Sequence, residues 1–212
     1  TSYEGPYDGN AHSISTEGVG GTILYSVDQS NWTTENPSYV DVSSNADQKY
    51  PVYVKLLVEA QNWESEVISA YVKITPRQVT LTSASDSKAY DGTPLTRPEV
   101  TITGDGFVKG EATAKAIGSV TYVSESPVTN TIEIEKTEAY KDSNYQIEKN
   151  EGKQSITQVT KEVIVTIAEN SGTETYSGTE YTVTGYSVKS ISNPLYKASD
   201  FTFNGNAEVK GI

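Results

Sequence analysis

The chain of 212 residues contains no cysteine and no methionine, and only one histidine. Without cysteine there are no disulfides, no thiolate nucleophile and no cysteine-ligated zinc. A disulfide-stapled secreted mini-domain of the animal type is therefore excluded. With His12 alone, a multi-histidine metal site cannot form within one chain. No run approaches the roughly 20 apolar residues that a membrane-crossing helix needs. Basic residues are scarce as well, with 16 Lys and Arg against 28 Asp and Glu and a formal net charge of −12. That balance argues against nucleic acid, whose phosphates want a basic face, and against adsorption to anionic lipid. It suits an exposed protein kept soluble by its charge. No signal-peptide pattern is visible, so an exported parent would contain this chain as a mature or excised piece.

What is abundant points one way. Tyrosine occurs 15 times, and threonine, serine and valine are frequent. Aromatic and β-branched residues suit a pleated, half-buried surface, which predicts strands. One short pattern recurs: Tyr7-Asp8-Gly9, Tyr90-Asp91-Gly92 and Tyr176-Ser177-Gly178, the tyrosines standing 83 and 86 residues apart. A near-constant period of this length marks an array of small units. Two further landmarks share an offset of 82, Asn62-Trp63 with Asn144-Tyr145 and Ile74 with Ile156.

Units are expected at residues 1–77, 78–158 and 159–212, the first two joined by a linker of two or three residues that favours a semi-rigid tandem. In the first, Thr22–Val27, Ser38–Val42, Val52–Glu59 and Val67–Ile74 read as strands. The best of these is Val52–Glu59, where Val52, Val54, Leu56 and Val58 alternate with Tyr53, Lys55, Leu57 and Glu59. In the second unit the expected strands are Val79–Thr82, Val100–Thr103, Ile117–Val123 and Asn130–Glu135, with a turn at Gly104-Asp105-Gly106. The third offers Glu162–Ile167, Tyr181–Val188 and Asp200–Phe203, and stops about 54 residues into a unit whose predecessors needed roughly 80. It is expected to be cut short, leaving an exposed edge strand open to pairing with another chain. No stretch shows sustained helical periodicity. The expected fold is all-β, with tandem immunoglobulin-like antiparallel sandwiches in an extended array.

Candidate chemistry is thin. A Ser-His-Asp triad would have to use His12, with Asp8 and Ser13 near it in sequence, but no nucleophile-elbow pattern accompanies it. The acidic stretches around Asp28–Asn31, Asp41–Asp47 and Asp200–Asn206 offer oxygen ligands without the spacing of a calcium loop. No catalytic, cofactor or metal residue is expected, and the chain reads as a non-enzyme. Trp32 and Trp63 are the candidate binding residues, as a platform for glycan or protein. Tyr7, Asp8, Gly9, Tyr90, Asp91, Gly92, Tyr176 and Gly178 read as structural: the phenol packs at the end of a sandwich, its hydroxyl finds a backbone partner, and glycine supplies positive φ.

On these residues the chain resembles the bacterial immunoglobulin-like repeats of large Gram-positive surface proteins. The first unit matches through Tyr7 to His12, Tyr25 to Asp28, Trp32, Pro37-Ser38-Tyr39, Val52 to Lys55, Asn62 with its aromatic, and Ile74-Thr75-Pro76. The second matches the Lys-x-Tyr-Asp-Gly-Thr form at Lys88 to Thr93. The third resembles MBG or YDG-type repeats through Tyr176 to Gly178 and Phe203 to Gly211, with Ser177 where that pattern more often has Asp. The resemblance implies an extracellular stalk or adhesin segment on a bacterial cell surface, wall-anchored through its parent, with a host or cell-wall protein or glycan as partner. The alternative it leaves is a binding module using exposed aromatics. It carries over no catalytic residue, and although some surface repeats hold Lys–Asn or Lys–Asp isopeptide links, no such pair is singled out here.

Overall fold

A computed structural model describes residues 1–18, 20–205 and 207–212. The described residues are all-β, with no α-helix and four single 3-10 turns. The strands fall into three sets, and no ladder crosses between them.

The first set holds β1 (Tyr3–Pro6), β2 (His12–Ser13), β3 (Thr22–Ser26), β4 (Ser38–Tyr39), β5 (Lys49–Val58), β6 (Trp63–Glu64) and β7 (Ile68–Thr75). Its main sheet runs β1-β7-β5-β3, with β6 folding back on β5 and β2 pairing β4 apart from it. The alternation in β5 sets this arrangement. Val52 is sealed, while Lys55 turns outward to Glu64 at 2.8 Å. The second set holds β8 (Arg77–Ser83), β9 (Asp86–Ala89), β10 (Leu95–Thr96), β11 (Val100–Gly104), β12 (Ala112–Ala116), β13 (Ser119–Val120), β14 (Val128–Thr129), β15 (Ile132–Lys136), β16 (Tyr145–Asn150) and β17 (Lys153–Thr157). Here β8 lies between β11 and β16, and β17 lies between β14 and β9, with β12 pairing β15 and β10 pairing β13. The third set is β18 (Val165–Glu169), β19 (Tyr181–Thr184), β20 (Tyr186–Ile191) and β21 (Glu208–Gly211), in two ladders, β18-β20 and β19-β21.

The periodicity of the sequence has a physical form in these ladders. β1 pairs β7 in parallel, and β9 pairs β17 in parallel, with Tyr3↔Val72 answered by Asp86↔Gln154. Each ladder closes on the same contact: Tyr7 N–H donates to Thr75 O, and Tyr90 N–H to Thr157 O, both at 2.9 Å. The hydroxyls of Thr75 and Thr157 both reach back to the first strand, to Gly5 O and Lys88 O, at 3.3 Å. In the same way β18 pairs β20 antiparallel as β8 pairs β11.

The core is continuous between the first two sets. Tyr7, Val52, Val72 and Ile74 belong to one buried cluster with Val79, Leu81, Ile132 and Tyr145. A smaller cluster of Leu95, Val120 and Ile156 lies at the far end of the second set. Among the described residues of 159–212, none is buried. Two-stranded ladders hold little apolar surface between them, which makes this the least packed part of the chain.

The structure differs from the expected strands at several points. The run Tyr181–Val188 is broken by Gly185, at φ 91°, into β19 and β20. The Asp200–Phe203 strand is absent: a 3-10 turn occupies Ala198–Asp200, and Phe201, Thr202 and Phe203 carry no ladder. Only Ser119–Val120 of the expected Ile117–Val123 strand is paired, because the chain turns into a 3-10 segment at Val123–Glu125.

Candidate functional site: a buried joint

The first two sets meet through side chains that sequence order keeps far apart. The Tyr7-Asp8-Gly9 turn follows β1 directly, so the end of that strand aims the Tyr7 ring at the second set. There the ring meets Tyr145 edge-on, centroids 5.7 Å apart. Its hydroxyl donates to Glu111 Oε1 at 2.5 Å, while Tyr145 donates to Oε2 of the same carboxylate at 2.8 Å. Val108 N–H in turn donates to the Tyr145 oxygen at 3.0 Å. Tyr140 stacks on Tyr145 at 4.9 Å, and Phe107 closes the edge.

Tyr7 is 3% exposed and Glu111 7%. A carboxylate at such depth is tolerated because both of its oxygens accept a phenol. Burial, followed by the hydrogen bond to Glu111, raises the Tyr7 phenol well above the ordinary tyrosine range. The Tyr145 phenol is pushed up to about 12, chiefly by burial. Both therefore stay protonated as donors at any physiological pH. The sequence led us to expect a backbone partner for the hydroxyl of this tyrosine. At Tyr7 the partner is instead a carboxylate of the neighbouring set.

Two further groups fasten the same boundary. Only Pro76 separates β7 from β8. The next residue, Arg77, spreads its guanidinium over three main-chain carbonyls: Nε to Gly106 at 2.6 Å, Nη1 to Tyr7 at 3.0 Å, and Nη2 to Asp105. On the other side, Asn144 Oδ1 accepts from Val42 N–H at 2.9 Å and its Nδ2 donates to Asp41 Oδ1 at 2.8 Å. Lys141 pairs with the second Asp41 oxygen. Burial pushes the Asp41 carboxyl up, but hydrogen bonds from Lys141 and Asn144 outweigh it and hold it below its usual range. Burying an aromatic ring is worth about 1.5–3 kcal/mol, whereas an exposed ion pair such as Lys141–Asp41 is worth about 0–1 kcal/mol. The tyrosines and the amide dominate the joint.

The repeated turn plays the same part once more. Gly9 is at φ 81°, and a Cβ there would stand 3.0 Å from Val108 Cγ1. Gly92 is at φ 80°, and a Cβ there would stand 2.9 Å from Leu195 Cδ2. Each glycine turn thus abuts a loop of the following set. In the third copy Tyr176 is 79% exposed, and a Cβ at Gly178, φ 76°, would meet only the Tyr176 hydroxyl at 4.0 Å.

The aspartates of the motif are local. Asp8 Oδ1 accepts from Asn10 N–H at 2.8 Å, and Asp91 Oδ1 from Thr93 N–H at 2.9 Å, while Lys88 holds Asp91 at 2.8 Å. Ser177 takes this place in the third copy through a 2.7 Å contact with the Thr179 hydroxyl. The Asn10 N–H, aided by His12, lowers the Asp8 carboxyl to about 2. A folded-state value depressed from 3.8 contributes stability above pH 4, which is lost as pH falls toward 2. Asp8→Asn keeps an acceptor for the turn without the titration. Thermal melts between pH 5 and pH 2 should therefore show a shallower loss of Tm in Asp8→Asn than in the parent; equal slopes would assign the acid sensitivity elsewhere.

His12 lies just past this turn, at the start of β2. Its ring stacks on Tyr3 at 4.2 Å, and its Nε2 meets both Asp8 Oδ1 at 2.9 Å and the Tyr3 hydroxyl at 3.3 Å. Ser13 makes no hydrogen bond to it. Of the acidic loops, Asp28 spends its carboxylate on Ser30 N–H, Asn31 N–H, Asn31 Nδ2 and the Ser26 hydroxyl. Among the described residues no group of three His, Asp or Glu gathers to hold a metal.

Trp32 and Trp63 are not brought together. Trp32 is half-buried with Lys55 Nζ 4.4 Å above its ring, and Lys55 also holds Glu64. Trp63 pairs with Val58, one position on from the Glu64↔Leu57 pair, so it projects from the opposite face of the hairpin and is 50% exposed. Glu111, Arg77, Asn144 and Tyr145 form the joint, and Glu111 and Arg77 went unnoticed in the sequence. Nothing distinguishes Glu111 among 28 acidic residues. Arg77 carried one signal, its place directly after the Pro76 boundary. Compared with known proteins, the chain matches no family model, and no curated protein matches it.

Proposed function

We propose that the chain is a row of immunoglobulin-like β-sandwich repeats serving as a non-catalytic spacer in a bacterial cell-surface protein. The joint is the observation that carries this reading. A single proline connects the first two sets, and buried Tyr7, Glu111 and Asn144 with half-buried Arg77 bind one to the other. Such a boundary transmits orientation from one unit to the next, which a projecting spacer needs and a flexibly tethered binding module does not. The Gly92 turn against Leu195 offers a second boundary of the same kind. The acidic surface and the absence of cysteine suit an exported protein that folds without oxidants.

Small-angle scattering tests the reading. A strand of seven residues spans roughly 24 Å and its turns bring a unit to about 33 Å, so a row of three units reaches about 100 Å. A rod of that length has a radius of gyration near 29 Å (about 100 Å divided by √12), against about 17 Å for a compact globule of this size. The larger value is expected. A value near the smaller one would sink the spacer.

A further inference from the structure

Edge strands invite pairing with another chain, and native sheets guard them with charge, proline or a covering loop. Among the described residues of the first two sets, the longer open edges are guarded in this way. β1 carries Glu4 and Pro6, β9 Asp86 and Lys88, β12 Lys115, β15 Glu133 and β16 Glu148. β3 has no charge, but the Tyr25↔Thr33 bridge closes its outer side. β11, Val100-Thr101-Ile102-Thr103-Gly104, has neither charge nor proline, and Thr101, Thr103 and Gly104 stand exposed. Its counterpart in the third set, β20, carries Lys189.

The ladder with β8 fixes which groups β11 offers. Asp105 N–H donates to Gln78 O at 2.8 Å and Gln78 N–H donates to the Asp105 carboxylate at 3.1 Å, so Gln78 turns its main chain toward this strand. Such residues alternate along an antiparallel pair, so Thr80 and Thr82 face Thr103 and Thr101 in the same way. The N–H and C=O groups of Val100 and Ile102 therefore point away from β8, and among the described residues nothing beyond β11 bonds to them. Side chains leave the same opening. Ile102 lies opposite Leu81 and shares its inward face, yet Ile102 is 41% exposed while Leu81 is sealed.

We propose that β11 is the pairing edge for a second copy of this chain, joined antiparallel about a two-fold axis through Thr101. Outward main-chain groups can meet only in registers that set Val100 and Ile102 opposite each other or opposite themselves. Val100 against Val100 brings Ile102 against Pro98, which has no N–H and whose carbonyl already accepts from Ala116. Ile102 against Ile102 brings Glu99 against Asp105 at both ends, where like charges repel. Val100 against Ile102 of the second copy, formed twice, brings Arg97 against Asp105 instead. This register covers both inward rims with apolar side chains, pairs the free main-chain groups and matches charge at each end. Identical copies meet all three conditions by symmetry, which is why the occupant is a second copy. The inference does not rest on the spacer reading.

The contact is small and the net charge of −12 opposes it, so a Kd on the order of 0.1–1 mM is expected. Sedimentation equilibrium of the full 212-residue chain across that range should show the mass rising toward a dimer. Amide chemical shifts should move with concentration at Val100–Thr103. Ile102→Lys, which supplies the missing guard, should weaken association by at least about tenfold. Thiol cross-linking reads the register, and the cysteine-free chain gives it no background. Cα atoms across a non-hydrogen-bonded pair lie about 4.5 Å apart, within disulfide reach. Thr101→Cys, at an exposed position, should therefore oxidise to a covalent dimer in glutathione disulfide at least about tenfold faster than Thr103→Cys. If Ile102→Lys fails to fold, this pair of variants decides alone. The proposal falls if the chain stays monomeric at about 1 mM, if both cysteine variants cross-link equally, or if the shifts map to another edge such as β19. Faster cross-linking between the two variants when mixed than within Thr101→Cys would overturn the register.

Discussion

Tyr7→Ala is expected to lower the stability of the first transition by about 3–5 kcal/mol, the range for removing a fully buried aromatic ring. The loss has two parts. The ring leaves a void against Tyr145, and Glu111 Oε1 is left buried without its donor. Tyr7→Phe separates them, since it keeps the ring and deletes only the hydroxyl, and about 1–3 kcal/mol is expected from it. The same substitution at the other copies grades the environment. Tyr90, half-buried against the Leu95, Val120 and Ile156 cluster, should give an intermediate loss. Tyr176→Ala, at a largely exposed residue, should stay within about 0.5 kcal/mol. Urea melts followed by fluorescence measure all four variants. If Tyr7→Ala cost no more than Tyr176→Ala, the joint would be a contact without energetic weight.

Asn130→Ala carries the second large effect, expected at about 3–5 kcal/mol in the same melts, from main-chain groups that each lose a partner at about 1–3 kcal/mol. Asn130 is fully buried between β14 and β15. Its Nδ2 donates to Ala84 O at 3.1 Å and Arg97 O at 2.9 Å, and its Oδ1 accepts from Gly118 N–H at 3.0 Å. One amide thus ties the end of the β10-β13 ladder, at Arg97 and Gly118, to Ala84 after β8. Gln154 works beside it. With its amide nitrogen toward the carbonyls, it donates to Leu95 at 2.6 Å and Gly118 at 3.2 Å and accepts from Arg97 N–H at 3.0 Å. Asn130→Asp should not rescue stability, because the two carbonyls need donors. A mild effect of alanine would mean that water enters and replaces the amide.

These two residues divide what the sequence made legible from what it did not. Strands such as β5, β7, β8 and β11 could be read because alternating β-branched residues carry their own signal, as Val52 and Val54 do. β12, Ala112–Ala116, has a sequence of low strand propensity and went unread. Its strand state comes from pairing with β15, where Ala114 and Ala116 lie opposite Ile134 and Ile132. The repeated turn was visible, and so was its glycine geometry. Its meeting with Glu111, 104 residues away from Tyr7, was not, because a contact between sets leaves no periodic trace. Asn130 looked like the start of a strand and proved to be a polar clamp between strands.

The parallel pairing of first and last strands has a consequence under load. Tension drawn along the chain would enter the first set near Tyr3 and leave near Thr75, the two ends of the β1-β7 ladder. Parallel strands pulled from opposite ends slide lengthwise, so their cross-links must fail together rather than peel one at a time. β9 and β17 repeat this geometry from Asp86 to Thr157. The same hydrogen bonds that make the period visible would therefore act as a shear clamp in each of the first two sets, setting the force at which either gives way.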